Sequence, residues 1–147
     1  MSVPPVPEGF HTITPNIMLH GVERAIEFYR EAFGAEERMR LTMPDGVITH
    51  CELAIGDSRL NIGEAMEGWP AHPLLAQLHV ADADAVFERA VNAGATIVMP
   101  MTGMFFGSRE GRVKDPFGGT WTIATRTEIV SAEEMQRRLY LAVAEEA

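Results

Sequence analysis

A chain of 147 residues, 46% hydrophobic and 22% charged with 13 Gly and 9 Pro, has the make-up of one globular domain and not of a disordered tail, a collagenous repeat or a coiled coil. The 12 Lys and Arg against 21 Asp and Glu leave a formal charge of −9, which repels a phosphate backbone and argues against nucleic acid as a partner. A single cysteine, Cys51, rules out an intrachain disulfide, a Cys-rich zinc site and a CxxC redox pair.

The opening residues lack a basic n-region and an apolar h-region, and no later run approaches the roughly 20 apolar residues of a membrane span, so a cytoplasmic protein without a membrane partner is expected. Pro4, Pro5 and Pro7 favour an extended arm up to Phe10. A strand is predicted over 11–19, then a helix from Val22 to Phe33, in which Val22, Ala25, Ile26, Tyr29, Ala32 and Phe33 recur at spacings of three and four before a closing Gly34. Three strands follow at 36–43, 47–55 and 58–63, joined by Pro44-Asp45-Gly46 and Gly56-Asp57. The first unit, 11–65, therefore reads β-α-β-β-β.

Beyond Glu67-Gly68-Trp69-Pro70 the order repeats over 74–127. A strand at 75–80 leads to a helix from Asp82, its N-cap, to Ala93, and then to strands at 95–99, 104–114 and 119–125, the last preceded by the turn Asp115-Pro116-Phe117-Gly118. Gly34-Ala35 and Gly94-Ala95 mark equivalent joints, the sign of an internal repeat. A C-terminal helix over 130–145 starts at Ser131, with Glu134 placed to reciprocate the cap. Its stripe of Met135, Leu139, Ala142 and Val143 must pack on the chain's own body or meet a partner. The whole of 1–147 is expected to form a single domain.

Alternation assigns faces. Thr49, Cys51, Leu53 and Ile55 point towards the helices and leave His50 and Glu52 opposite; Leu60 and Ile62 leave Asn61; Leu78 and Val80 leave Gln77 and His79; Trp121 and Ile123 leave Thr122. If the two units curl around one cavity, His50, Glu52, Asn61, Gln77, His79 and Thr122 line it. The same alternation also describes a sheet with one solvated face and no ligand site. His50 or Glu52 is suited to transfer a proton, Phe105 or Phe106 to cover an organic substrate, and Arg109 or Arg112 to pair with a carboxylate. Surface roles explain the same residues. His50, Glu52 and His79 are also chemically able to form an unusual metal site. Cys51 falls on the core face and reads as an inert buried thiol.

With Val22-Glu23-Arg24-Ala25-Ile26-Glu27-Phe28-Tyr29 opening the first helix and Lys114-Asp115-Pro116-Phe117-Gly118 before the last strand, the paired units resemble the vicinal oxygen chelate superfamily. The segments Ala32-Phe33-Gly34-Ala35-Glu36, Met43-Pro44-Asp45-Gly46, His50 to Ser58 and Gly111 to Gly118 look like its PhnB-like, glyoxalase/bleomycin-resistance branch. The resemblance implies an α+β fold of two βαβββ modules forming a curved, barrel-like mixed sheet, commonly completed by a homodimer. Metal-using relatives take ligands from the first and last strands of each module, positions that fall near Thr14, Asn61, Leu75 and Thr122. That set lacks the usual His, Gln and Glu ligands, so no metal or other cofactor is expected. The leading expectation is a metal-independent protein that binds a small organic ligand. The alternatives are a lyase or isomerase working by His/Glu proton transfer and a non-catalytic structural or interaction protein.

Overall fold

Each run of alternating apolar residues becomes one strand of two separate four-stranded sheets in the computed structural model, which describes residues 2–146. The first sheet contains β1 (Asn16–Leu19), β2 (Glu36–Thr42), β3 (Ile48–Ile55) and β4 (Ser58–Glu64), with α1 (Val22–Phe33) crossing between β1 and β2. The second contains β5 (Leu74–His79), β6 (Thr96–Met104), β7 (Ser108–Lys114) and β8 (Gly119–Arg126), with α2 (Ala83–Ala93) after β5. A final helix, α3, covers Ala132–Glu146. The strand orders are β1-β4-β3-β2 and β5-β8-β7-β6, and in each the first pair is parallel and the others antiparallel.

The expected curved barrel is not formed. No strand of one sheet pairs with a strand of the other, and both sheets remain open. The reason lies in what fills the space between the modules. The helix-side faces contribute to one shared core, and α1 packs against α2. Phe33 lies 4.8 Å and Tyr29 5.6 Å from Trp121 of β8, ring to ring. Burying rings of this size contributes about 2 kcal/mol each, so the aromatic contact dominates the junction. With the helix sides turned inward, the polar faces lie on the outer sides of the sheets and cannot enclose a common polar cavity within one chain.

Asp115 ties the junction together. Its carboxylate, 3% exposed, accepts hydrogen bonds from the Tyr29 hydroxyl at 2.8 Å, Trp121 Nε1 at 2.8 Å and the amides of Phe117 and Gly119 at 2.7 and 2.8 Å. Four donors replace the water that a buried charge loses. Burial and the adjoining carboxylate push the Tyr29 phenol far above its ordinary range, so its hydroxyl remains a donor.

Local signals are met in part. Asp82 caps α2 by accepting from the Ala85 amide at 3.1 Å, and Gly34 closes α1 in the left-handed region at φ 69°. Ser131 caps α3 through the Glu134 amide, but the Glu134 carboxylate turns to Arg137 and Arg138 instead of back to the cap. β6 runs on through Pro100, because an edge strand tolerates a missing donor and a register shift between Met99 and Thr102 absorbs the irregularity. α3 contributes no buried residue; Arg138 anchors it to Glu128 and to the Phe105 carbonyl. Among the described residues, no helix is long and apolar enough to cross a membrane.

Candidate functional site

The outer face of the first sheet carries its chemistry in the middle of β3 and β4. His50 Nε2 and Glu52 Oε2 lie 3.1 Å apart on β3, and Glu52 is in register with Asn61 of β4. Side by side with Asn61 on the parallel strand is Asn16 of β1. Asn61 is 9% exposed, yet its Oδ1 accepts no hydrogen bond. A buried acceptor left unpaired costs about 1–3 kcal/mol, so this position carries a desolvation cost that no protein donor offsets. Met39 and Leu41 of β2, in register with Glu52 and His50, add exposed apolar surface.

The second sheet repeats the layout. Gln77 of β5 lies beside Thr122 of β8, each 61 residues after its counterpart in the Asn16–Asn61 pair. Arg112 of β7 is in register with Thr122 and donates to its hydroxyl at 3.2 Å. Two residues earlier, Glu110 is 5% exposed and accepts from the Ser108 hydroxyl at 3.0 Å. Asn16 and Glu110 are the two face residues that the sequence reading missed. The signal was the same alternation, obscured at Asn16 by the short β1 and at Glu110 by the glycines and arginines that surround it in a strand with few apolar residues.

Other expected site residues are set apart. Arg109 lies three residues before Arg112 and so on the opposite side of β7, where it forms a two-pronged pair with Asp84 of α2 at 2.8 and 2.9 Å. Phe105 and Phe106 meet edge to face at 5.2 Å in the β6–β7 turn, near α3 and away from the middle of the sheet. His79 lies on the edge strand β5, separate from His50 and Glu52, and among the described residues no three His, Cys, Asp or Glu side chains converge to hold a metal ion.

The metal-ligand positions are also redrawn. Strand register places Asn16, and not Thr14, beside Asn61, and Gln77, and not Leu75, beside Thr122. Leu75 is 76% exposed. Two asparagines, a glutamine and a threonine offer only neutral amide and hydroxyl oxygens, unlike the imidazoles, thiolates and carboxylates that zinc or catalytic iron prefers. The residues present do not fit a metal of either kind. Cys51 is wholly buried, and burial, reinforced by Glu37, pushes its thiol up to about 12, which leaves it unreactive near neutral pH.

Two parallel-edged sheets with equivalent polar faces and joined by their helices define a paired-module fold of the vicinal oxygen chelate type. Residues 11–123 match the model of the Glyoxalase/Bleomycin resistance protein/Dioxygenase superfamily, and the chain belongs to that family. An uncharacterized protein of Mycobacterium bovis is 33% identical over 135 residues, covering 84% of this chain and 89% of the relative. The crystal structure of TioX from Micromonospora sp. ML1 superposes with a TM-score of 0.69 at 23% identity, covering 79% of this chain and 98% of that one. TnmS3, an antibiotic binding protein from Streptomyces sp. CB03234, gives 0.65 at 20% identity, covering 80% and 96%. These two structures establish likeness of fold.

Proposed function

We propose that the protein binds a small organic molecule without a metal, on the outer faces of its sheets, with His50, Glu52 and Asn61 contributed by one sheet and Gln77, His79, Arg112 and Thr122 by the other. The observation that carries this reading is the unpaired Oδ1 of Asn61 beside the His50–Glu52 pair: a small turn of the carboxamide brings the oxygen to the face, where a ligand hydroxyl or amide would supply the missing donor. The neutral donor set favours recognition by hydrogen bonding over coordination. The antibiotic-binding description of TnmS3 agrees with retention of a ligand.

Each outer face is open on its own, and both expose apolar residues, Met39 and Leu41 on one and Leu75 on the other. We propose a homodimer in which a face of one chain meets a face of the second and excludes water between them. Light scattering after size exclusion should give twice the monomer mass.

The His50–Glu52 contact favours a second reading, proton transfer in a lyase or isomerase, with Arg112 orienting an anionic substrate. Ligand-observed NMR against a panel of aromatic antibiotics and polar metabolites, followed by product analysis of every hit, separates the two. Binding without turnover, weakened by Asn61→Leu, is the expected result. Turnover lost in Glu52→Gln favours the second reading, and no hit across the panel contradicts both.

A further inference from the structure

A cavity lies on the helix side of the second sheet. Between the β3–β4 hairpin and the edge strand β5 runs a crevice of about 470 Å³, within the usual range for small-molecule pockets. Its floor is the Phe33–Trp121 pair, and its walls include Leu60, Ala76 and Leu78. Ala76 is in register with Trp121 and shares its side of the sheet, so the crevice opens on the helix side of β5.

The mouth is built by the N-terminal arm. Arg59 Nε donates to the Gly9 carbonyl at 3.2 Å, and its guanidinium lies 5.1 Å from the centre of the Phe10 ring. Gly9 has φ +83°, and a Cβ there would collide with the guanidinium, so glycine is what permits this approach. His11 Nε2 makes a contact of 3.2 Å with the Asp57 carbonyl, a second tie between arm and hairpin. Arg59 is half-buried, and among the described residues no carboxylate lies within ion-pair distance of it. The neighbouring Asp57 carboxylate is engaged by Ser58. A guanidinium that lines a cavity and is met only by a carbonyl and a ring keeps most of its capacity for an anion.

We infer that this crevice binds a small aromatic anion, whose ring rests on Phe33 and Trp121 and whose acidic group takes the place of the Gly9 carbonyl on Arg59. The arm then acts as a strap across the bound molecule. The crevice runs along the free edge of β5, so Gln77 and His79 border it as well, but Arg59, Phe33 and Trp121, on which the inference rests, take no part in the outer-face reading.

Anilinonaphthalene sulfonate and its neutral analogue phenylnaphthylamine test the inference in the full chain carrying Trp69→Phe, which leaves Trp121 as the one tryptophan. One sulfonate per chain should bind with quenching of Trp121, and about tenfold more tightly than the neutral probe. Arg59→Gln should abolish that preference, Ala76→Leu should weaken both probes about tenfold by filling the crevice, and Leu141→Ser on exposed α3 should change neither. Far-UV circular dichroism verifies that each variant is folded. Equal affinity for the two probes overturns the anion assignment. Binding that survives Ala76→Leu, or falls with Leu141→Ser, overturns the site.

Discussion

Asp115 and Asn61 are both polar, both more than nine-tenths buried and both on the last hairpin of their module, yet their surroundings are opposite. Four donors converge on the Asp115 carboxylate and join α1 to the β7–β8 turn, whereas the Asn61 carbonyl oxygen meets none. A buried polar group that is fully satisfied contributes to structure. One that is left unpaired weakens structure unless a bound molecule supplies its partner, which is the role proposed for Asn61.

Substitutions at the two positions should therefore differ in sign. Asp115→Ala strands the Tyr29 hydroxyl, the Trp121 indole and two amides, and should cost about 3–5 kcal/mol in urea unfolding. Tyr29→Phe removes one donor and leaves the carboxylate three, so a loss of about 1–2 kcal/mol is expected from the same titration. Asn61→Leu keeps the number and branching of the side-chain heavy atoms and deletes the unpaired oxygen, and should be neutral or more stable by about 1 kcal/mol while ligand binding falls. A destabilisation at Asn61 as large as that at Asp115 would break the comparison.

Glu134 sharpens it from the other direction. This carboxylate accepts hydrogen bonds from Arg137 and Arg138, which hold it well below its ordinary range, at about 2. Because the folded value is depressed, the clamp is complete above the ordinary glutamate range and is lost as pH falls towards about 2. Amide exchange in α3 should accelerate over that window. Glu134 lies at the surface with its side chain 33% exposed, so water screens the contact and Glu134→Gln should leave global unfolding nearly unchanged, the smallest effect of the series. Several donors on a carboxylate that water still reaches are worth far less than several on a buried one.

The sequence made the modules legible because α1 and α2 carry clear stripes and stops, and because strand parity separates Leu60 and Ile62 from Asn61. It concealed the relation between the sheets. Parity names the two faces of a strand but not which face a second module will cover, and that was decided by Phe33, Tyr29 and Trp121 meeting across the chain. The Tyr29–Asp115 bond spans 86 residues and has no local signature. Arg109 was separable from Arg112 in principle, since an odd spacing on one strand cannot place both on one face. The pairing of Asn16 with Asn61 and of Gln77 with Thr122 required the register of parallel strands, which neither hydropathy nor turn residues encode.

Binding and stability measured in the same Asn61 variant separate a ligand-binding role for this residue from a structural one. Wild type and Asn61→Leu would each be titrated with the tightest hit from the NMR panel and unfolded in urea. Affinity reduced about tenfold or more, with stability equal to or above that of wild type, is the predicted result. Unchanged affinity, or a loss of stability on the scale of Asp115→Ala, would contradict it.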